Sequence, residues 1–349
     1  MAERALFLTP IFEPYVGGAA VHFDQLTRGL IENETISFFI LISAYSPEAP
    51  IYEPRQNGII LRVLFSPNSI HRGWSKPKII ANYLIATIFS LASIFLFNTS
   101  IMHTHTRNYF SWAVRVAKAA GVSVVVDGRD LGAPSFPATG DVFVAISDNI
   151  YNKADDRDER LIRIPVGINP KTLSVNCQDV STPAEPYFLF VGDITERKGV
   201  PELLDAYESD PRGRKLVLIG ERVNADIDIE RLDTISYLGP QPHKEVLCYI
   251  RAADIVFLPS KEEGLPRVVL ESVFHETPVV CPPIVPEFHQ HLPEMTLSAI
   301  DASEIQNTID RILDEGLEPD EFPIKEHYVS NVVDEYSSLY KSLSSPPDT

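Results

Sequence analysis

The stretch LPSKEEGLPRVVLESVFHETPVV, Leu258 to Val280, decides the fold of its half of the chain. Ile255 to Leu258 is a short apolar run that fits a buried strand, and Pro259-Ser260 ends it. Glu262 to Pro266 then reads as a strand-to-helix turn. Pro266 lacks the N–H that a helix start leaves unpaired, so it suits the first helical position, and Val268, Val269, Ser272 and Val273 supply an inward face. A second buried strand is expected at Pro278 to Val280.

Two carboxylates stand on this unit, Glu263 at the turn and Glu271 on the helix it opens, with seven residues between them. In open parallel sheets, ligands bind at the carboxyl ends of the strands, where helix N-termini offer free N–H groups to a phosphate. A nucleotide diphosphate fits this layout. A carboxylate accepts hydrogen bonds from neighbouring hydroxyls, so Glu271 suits a ribose and Glu263 a sugar ring. On spacing alone, both are equally well read as solvated acids near a helix start.

The whole string goes further. Glu263-Gly264-Leu265-Pro266, then Val269-Leu270-Glu271 and Thr277-Pro278-Val279-Val280, resembles the signature of family 4 glycosyltransferases, retaining enzymes of GT-B fold. The resemblance implies that Glu271 binds the nucleotide ribose, that Glu263 contacts the donor sugar near the reacting carbon, and that Gly264, Leu265 and Pro266 line the donor site. One departure is that relatives often have Gly where His275 or Glu276 falls, and a glycine pair near Ile284-Val285.

The chain has 349 residues, which suggests two domains. A net charge of −18 without a basic cluster argues against a nucleic-acid partner. Cys177, Cys248 and Cys281 are far apart in sequence and suggest neither a metal spacing nor a disulfide framework. The N-terminus MAERALFLTP lacks the basic and apolar regions of a secretory signal. Both observations lead us to expect a reducing, cytoplasmic setting.

Ala5 to Leu8 reads as the first strand, and a loop with Gly17-Gly18 precedes a helix from about Ala19 to Ile31. Paired glycines at such a turn let backbone N–H groups approach a ligand, although a tight turn without a ligand is the commoner reason for a lone pair. No G-x-G-x-x-G follows the strand, which disfavours a dinucleotide-binding dehydrogenase. In the family resembled, a glycine pair here lies close to the donor phosphate.

Ile36 to Ile42 and Ile59 to Phe65 are further strands. Ile79 to Phe97 carries no charge over nineteen residues, enough for a span of ~20. It is read first as a core helix, with a membrane-dipping apolar helix and a true span as open alternatives.

Ile101 to His105 is strand-like and places His103 and His105 on one face. No ligand at a usual spacing completes a metal site. Ser123 to Val126 is a strand ending in Asp127-Gly128-Arg129-Asp130, charges that read either as a site or as a surface salt-bridge cluster. The resemblance places His105 at the family's H-x-H strand end and assigns acceptor chemistry to Arg129 and Asp130.

Pro170 to Pro186 is polar and proline-punctuated, as a linker would be. Tyr187 to Val191 opens the second half as a buried strand. Arg197-Lys198-Gly199 then precedes an amphipathic helix at Pro201 to Tyr207, putting two cations at a helix N-terminus, where an anion would relieve the dipole's cost. Relatives bind the donor diphosphate with an Arg and a Lys in this region. Here Asp193 holds the Arg position, so Arg197 would substitute, and Lys198 keeps its place. Asn331 to Tyr340 is a helix with Tyr336 and Tyr340 four apart.

The expectation is therefore an α/β chain of GT-B fold with two Rossmann-like parallel-sheet domains facing across a cleft. An acceptor-side domain is expected at 1–170, a linker at 171–186, a nucleotide-sugar domain at 187–325, and a returning C-terminal helix at 326–345. The resemblance implies a metal-independent, retaining hexosyltransferase without a cofactor, taking a nucleotide-diphosphate sugar as co-substrate. The acceptor would be a hydroxyl on a glycan, a lipid-linked glycan or a small molecule. A peripheral contact through 79–97 with the inner face of the membrane stays open. The alternatives are a catalytically silent subunit that binds sugar nucleotide and a partner, and a GT-B sugar-nucleotide epimerase.

Overall fold

The computed structural model describes residues 2–14, 18–65, 75–105, 110–128, 140–153, 160–224 and 226–344. The chain divides into two compact units, Met1–Gly167 with Val329–Thr349, and Ile168–Tyr328.

The first unit contains strands β1 (Glu3–Leu8), β2 (Ile36–Ala44), β3 (Tyr52–Arg55), β4 (Gly58–Leu64), β5 (Ile101–His105), β6 (Ser123–Gly128), β7 (Val142–Ala145) and β8 (Leu161–Arg163). They form one sheet in the order β3-β4-β2-β1-β5-β6-β7-β8, parallel except that β3 runs antiparallel to β4 at the edge. Its helices are α1 (Gly18–Glu32), α2 (Lys76–Phe97), α3 (Ser111–Ala119) and α4 (Asp148–Lys153). Central strands such as Ala5–Leu8 are unbroken apolar runs because helices cover both faces of a parallel sheet.

The second unit contains α5 (Pro170–Leu173), β9 (Tyr187–Val191), α6 (Val200–Ser209), β10 (Lys215–Ile219), β11 (Ile235–Gly239), α7 (His243–Ala252), β12 (Ile255–Phe257), α8 (Arg267–Phe274), β13 (Val279–Val280), α9 (Pro286–His291) and α10 (Ala302–Glu315). Its five strands are ordered β11-β10-β9-β12-β13. The chain starts at β9, builds outward through β10 and β11, and then returns to place β12 on the other flank of β9. That reversal puts a topological switch point between β9 and β12, where open sheets of this kind bind ligands.

The last helix, α11 (Val329–Ser344), belongs to the first unit and buries Val332, Val333, Tyr336 and Tyr340 in the core with Phe7, Phe23 and Leu26. A buried polar network anchors it. Asp127, at the end of β6, is fully buried and lies 2.8 Å from Nε2 of His103 on β5 and 3.1 Å from Nε2 of His22 on α1. Tyr336 donates to Asp127 at 2.9 Å, and the Tyr340 hydroxyl lies 2.7 Å from His103 Nδ1. Burial pushes the Asp127 carboxyl pKa up, but the charge and hydrogen bond of His103, with those of His22, outweigh it and hold Asp127 well below the usual range. The Tyr340 phenol is driven well above its ordinary value by burial and by Asp127.

Two expectations are corrected. The cysteines are not all unpaired: Cys177 is bonded to Cys248 on α7, with Cα atoms 5.6 Å apart. Their sequence separation of 71 hides the fact that the segment read as a linker runs along α7, where Tyr249 donates to the Ser181 carbonyl at 3.0 Å. That segment begins with α5, capped by the Asn169 side chain on Lys171 N–H at 3.0 Å. Finally, α2 is not a core helix: it buries Asn82, Ala86, Ser90, Ser93 and Ile94, while Ile80, Leu84, Ile88, Phe95 and Leu96 are exposed.

Candidate active site

The site is built on two loops that leave the carboxyl ends of β9 and β12, which pair side by side in parallel register. After β9 the chain makes a tight turn at Glu196–Lys198, closed by Thr195, whose hydroxyl accepts from Lys198 N–H at 3.3 Å. Gly199 then bends into α6 with φ of +70°. A Cβ there would stand 2.0 Å from the Pro259 carbonyl oxygen on the β12 loop, so only glycine lets the two loops approach.

The loops are joined by backbone and side chains alike. Lys261 N–H donates to the Arg197 carbonyl at 2.8 Å, and the Arg197 guanidinium donates to the Glu262 carbonyl at 3.3 Å. Lys198 and Glu263 form an ion pair, both largely shielded from water. Three residues expected to act at the reacting centre, Arg197, Lys198 and Glu263, therefore meet at the switch point, with Gly264 and Leu265 following on the same loop. Pro266 precedes the first helical residue instead of occupying it, with extended backbone at φ −75° and ψ 123°, and Arg267 starts α8. The restricted proline φ serves the entry to the helix equally well from that position.

Glu271 is buried on the second turn of α8, and its carboxylate has partners that sequence reasoning missed. His243 Nε2, at the start of α7, lies 2.9 Å from Glu271 Oε1, and Arg267 Nε lies 3.7 Å from the same oxygen. Arg267 was legible as the residue four before Glu271 on one helix face. His243 was not, because the packing of α7 against α8 brings it there. The imidazole is half exposed, so a ligand can reach the side of this cluster.

In the first unit, His105 ends β5 and is buried, while His103 is committed to the Asp127 network. Gly18 is the first residue of α1. Gly17, Arg129 and Asp130 lie outside the described residues. Among the described residues, no group of three or more His, Cys, Asp or Glu is arranged to hold a metal ion.

Residues 185–315 match the family described as Glycosyl transferases group 1. A glycosyltransferase of Bacillus subtilis, TuaC, provisionally assigned to teichuronic acid biosynthesis, is 33% identical over 93 residues, which is 27% of this chain and 23% of that protein. An uncharacterized glycosyltransferase of Methanocaldococcus jannaschii is 25% identical over 290 residues, 80% of this chain and 79% of that one. Sucrose-phosphate synthase from Thermosynechococcus elongatus superposes with a TM-score of 0.77 at 17% identity, covering 98% of this chain and 99% of that chain, a likeness of fold. The chain has the GT-B fold, α/β with two parallel-sheet units. The matches support a glycosyltransferase.

Proposed function

We propose that the chain is a family 4 retaining glycosyltransferase, a metal-independent enzyme that moves a hexose from a nucleotide-diphosphate sugar to a hydroxyl acceptor in the cytoplasm. The observation that carries the reading is the meeting of Lys198, Arg197 and Glu263 at the switch point between β9 and β12. Cations held there next to the start of α6 are placed where phosphate charge grows as the glycosidic bond breaks.

When a donor enters, Lys198 exchanges the Glu263 carboxylate for diphosphate oxygens, and Glu263 turns to sugar hydroxyls near the anomeric carbon. The bond from that carbon to the phosphate oxygen breaks, its electron pair leaving with the nucleoside diphosphate. The acceptor oxygen bonds to the same carbon on the same face, and its proton passes to the departing phosphate. Glu271, oriented by His243 and Arg267, accepts hydrogen bonds from the ribose. His105, Arg129 and Asp130 are assigned to the acceptor side by resemblance alone.

A second reading, a silent subunit that binds sugar nucleotide, is favoured by Asp193 standing where relatives carry an Arg. The test pairs calorimetric titration of a nucleoside diphosphate with product analysis after incubation with donor sugars and alcohol acceptors. Tight binding with transfer of retained configuration is expected. Binding without transfer or donor hydrolysis would favour the silent subunit, and equal affinity of the parent and Lys198→Ala for the diphosphate would remove the site.

A further inference from the structure

Helix α2 has its polarity reversed relative to an ordinary surface helix. Apart from Ile94, its inward face is polar or small, and its polar side chains are bonded: the Asn82 side chain accepts from Phe65 N–H at 2.7 Å and donates to the Phe65 carbonyl at 3.3 Å, Ser90 donates to the Ala86 carbonyl at 2.7 Å, and Ser93 meets Thr99 at 3.2 Å. Its outward face is a stripe of large apolar side chains at helical spacing, Ile80 (60% exposed), Leu84 (51%), Ile88 (61%) and Phe95 (75%). The stripe is extended sideways by α3, which packs on α2 and exposes Trp112, its ring 5.2 Å from that of Tyr83.

Charge supplies a second, independent observation. The chain carries 48 Asp and Glu and a net charge of −18, yet none of those acids lies between Glu53 and Asp127. The same segment holds Lys76 and Lys78 at the start of α2, and Arg115 one turn after Trp112 on α3. An apolar stripe rimmed by cations and cleared of acids, within an otherwise acidic chain, is complementary to an anionic surface with an apolar interior.

We propose that the α2–α3 face docks in the plane of an anionic lipid bilayer, with Ile80, Leu84, Ile88 and Phe95 at the acyl boundary, Trp112 at the interface, and Lys76, Lys78 and Arg115 toward the headgroups. The helix lies in the surface and does not span. Twenty-two residues would reach across a ~30 Å core, but spanning would strip Asn82 of its bonds to the Phe65 backbone and Ser93 of its bond to Thr99, leaving unsatisfied polar groups in hydrocarbon. A second copy of the chain is the weaker occupant, because a two-fold interface sets the same basic rim against itself. The proposal goes beyond the donor-site reading and does not depend on it.

Vesicle flotation of the full chain tests it, using phosphatidylcholine alone and phosphatidylcholine mixed with phosphatidylglycerol. The parent should float with the mixed vesicles at least about tenfold better than with the neutral ones, and less as salt rises. The double variant Leu84→Glu/Ile88→Glu should stay in solution while melting like the parent, since both positions are exposed, and Lys76→Glu/Arg115→Glu should lose the preference for the anionic lipid. The control Val223→Glu, at an exposed position of the other unit, should float like the parent. A parent that floats with neither vesicle, or a double variant or control that breaks this pattern, overturns the proposal. So does a parent whose sedimentation shows dimers that Leu84→Glu/Ile88→Glu disperses, which would make the face a self-association surface.

Discussion

The ammonium of Lys198 and the carboxylate of Glu263 pair across 65 residues of sequence, from loops that leave neighbouring parallel strands. The two groups hold each other in place before any ligand arrives, and the same pairing makes the carboxylate a competitor for the cation. Glu263→Ala should therefore leave affinity for a bare nucleoside diphosphate unchanged or tighter while turnover falls. Lys198→Ala should weaken that affinity by ~1.5–3 kcal/mol, the range for hydrogen bonds to charged groups. Calorimetry and initial rates separate the two effects, and a Glu263→Ala protein with full turnover would argue against a donor-sugar role.

Glu271→Ala should weaken nucleotide binding more than it slows bound-state chemistry, because a ribose contact is the same in ground and transition states. His243→Ala should reproduce a smaller part of the loss, since the imidazole orients the carboxylate and is itself half exposed. If His243→Ala costs as much as Glu271→Ala, the imidazole contacts the ligand directly.

Gly199→Ala forces a side chain into a left-handed backbone at a cost of roughly 1–3 kcal/mol, and drives its Cβ into the Pro259 carbonyl. The loops must separate, so the melting temperature and the diphosphate affinity should fall together. A variant that keeps parental affinity would show that the joining of the loops is not needed for the donor.

Asp127→Ala removes the common partner of His22, His103 and Tyr336 and should cost ~3–5 kcal/mol, as breaking a buried pair does. Its pKa is lower folded than unfolded, so the stability it contributes is fully present above the unfolded value near 3.9 and is lost as pH falls from there through the folded value. Melting followed over that acid range should show a steep loss in the parent and a shallower one in Asp127→Asn.

Reduction of Cys177–Cys248 opens a loop of 71 residues in sequence separation and should lower stability by about 2–4 kcal/mol in the purified, oxidised chain. Denaturant melts with and without reductant measure it, and Cys248→Ser should melt like the reduced parent. A reducing cytoplasm would keep the bond open, so thiol labelling in freshly lysed cells reports the compartment as well.

Local chemistry was enough to determine much of this chain. Ile101–His105 and Tyr187–Val191 are strands with the bounds their local patterns suggest, and the Ile255 to Glu271 unit is a strand, turn and helix, because periodicity and turn residues act within a few positions of themselves. Helix α10 carries an equally legible sign, Asp301 capping Glu304 N–H at 2.9 Å with Ile305, Ile309 and Ile312 inward, which a reading centred on the 258–280 signature passes over.

Tertiary structure alone decided who meets whom. Lys198 reaches Glu263 because β12 returns to the flank of β9, Glu271 meets His243 through the packing of α7 on α8, and Cys177 reaches Cys248 along α7. It also decided the orientation of α2, where nineteen uncharged residues read as a core helix although Asn82, Ser90 and Ser93 face inward to hydrogen bonds that no average of hydropathy records. Strand order and hydrogen-bond partnership join residues remote in sequence, and a local pattern has no means of encoding which remote partner a face will find.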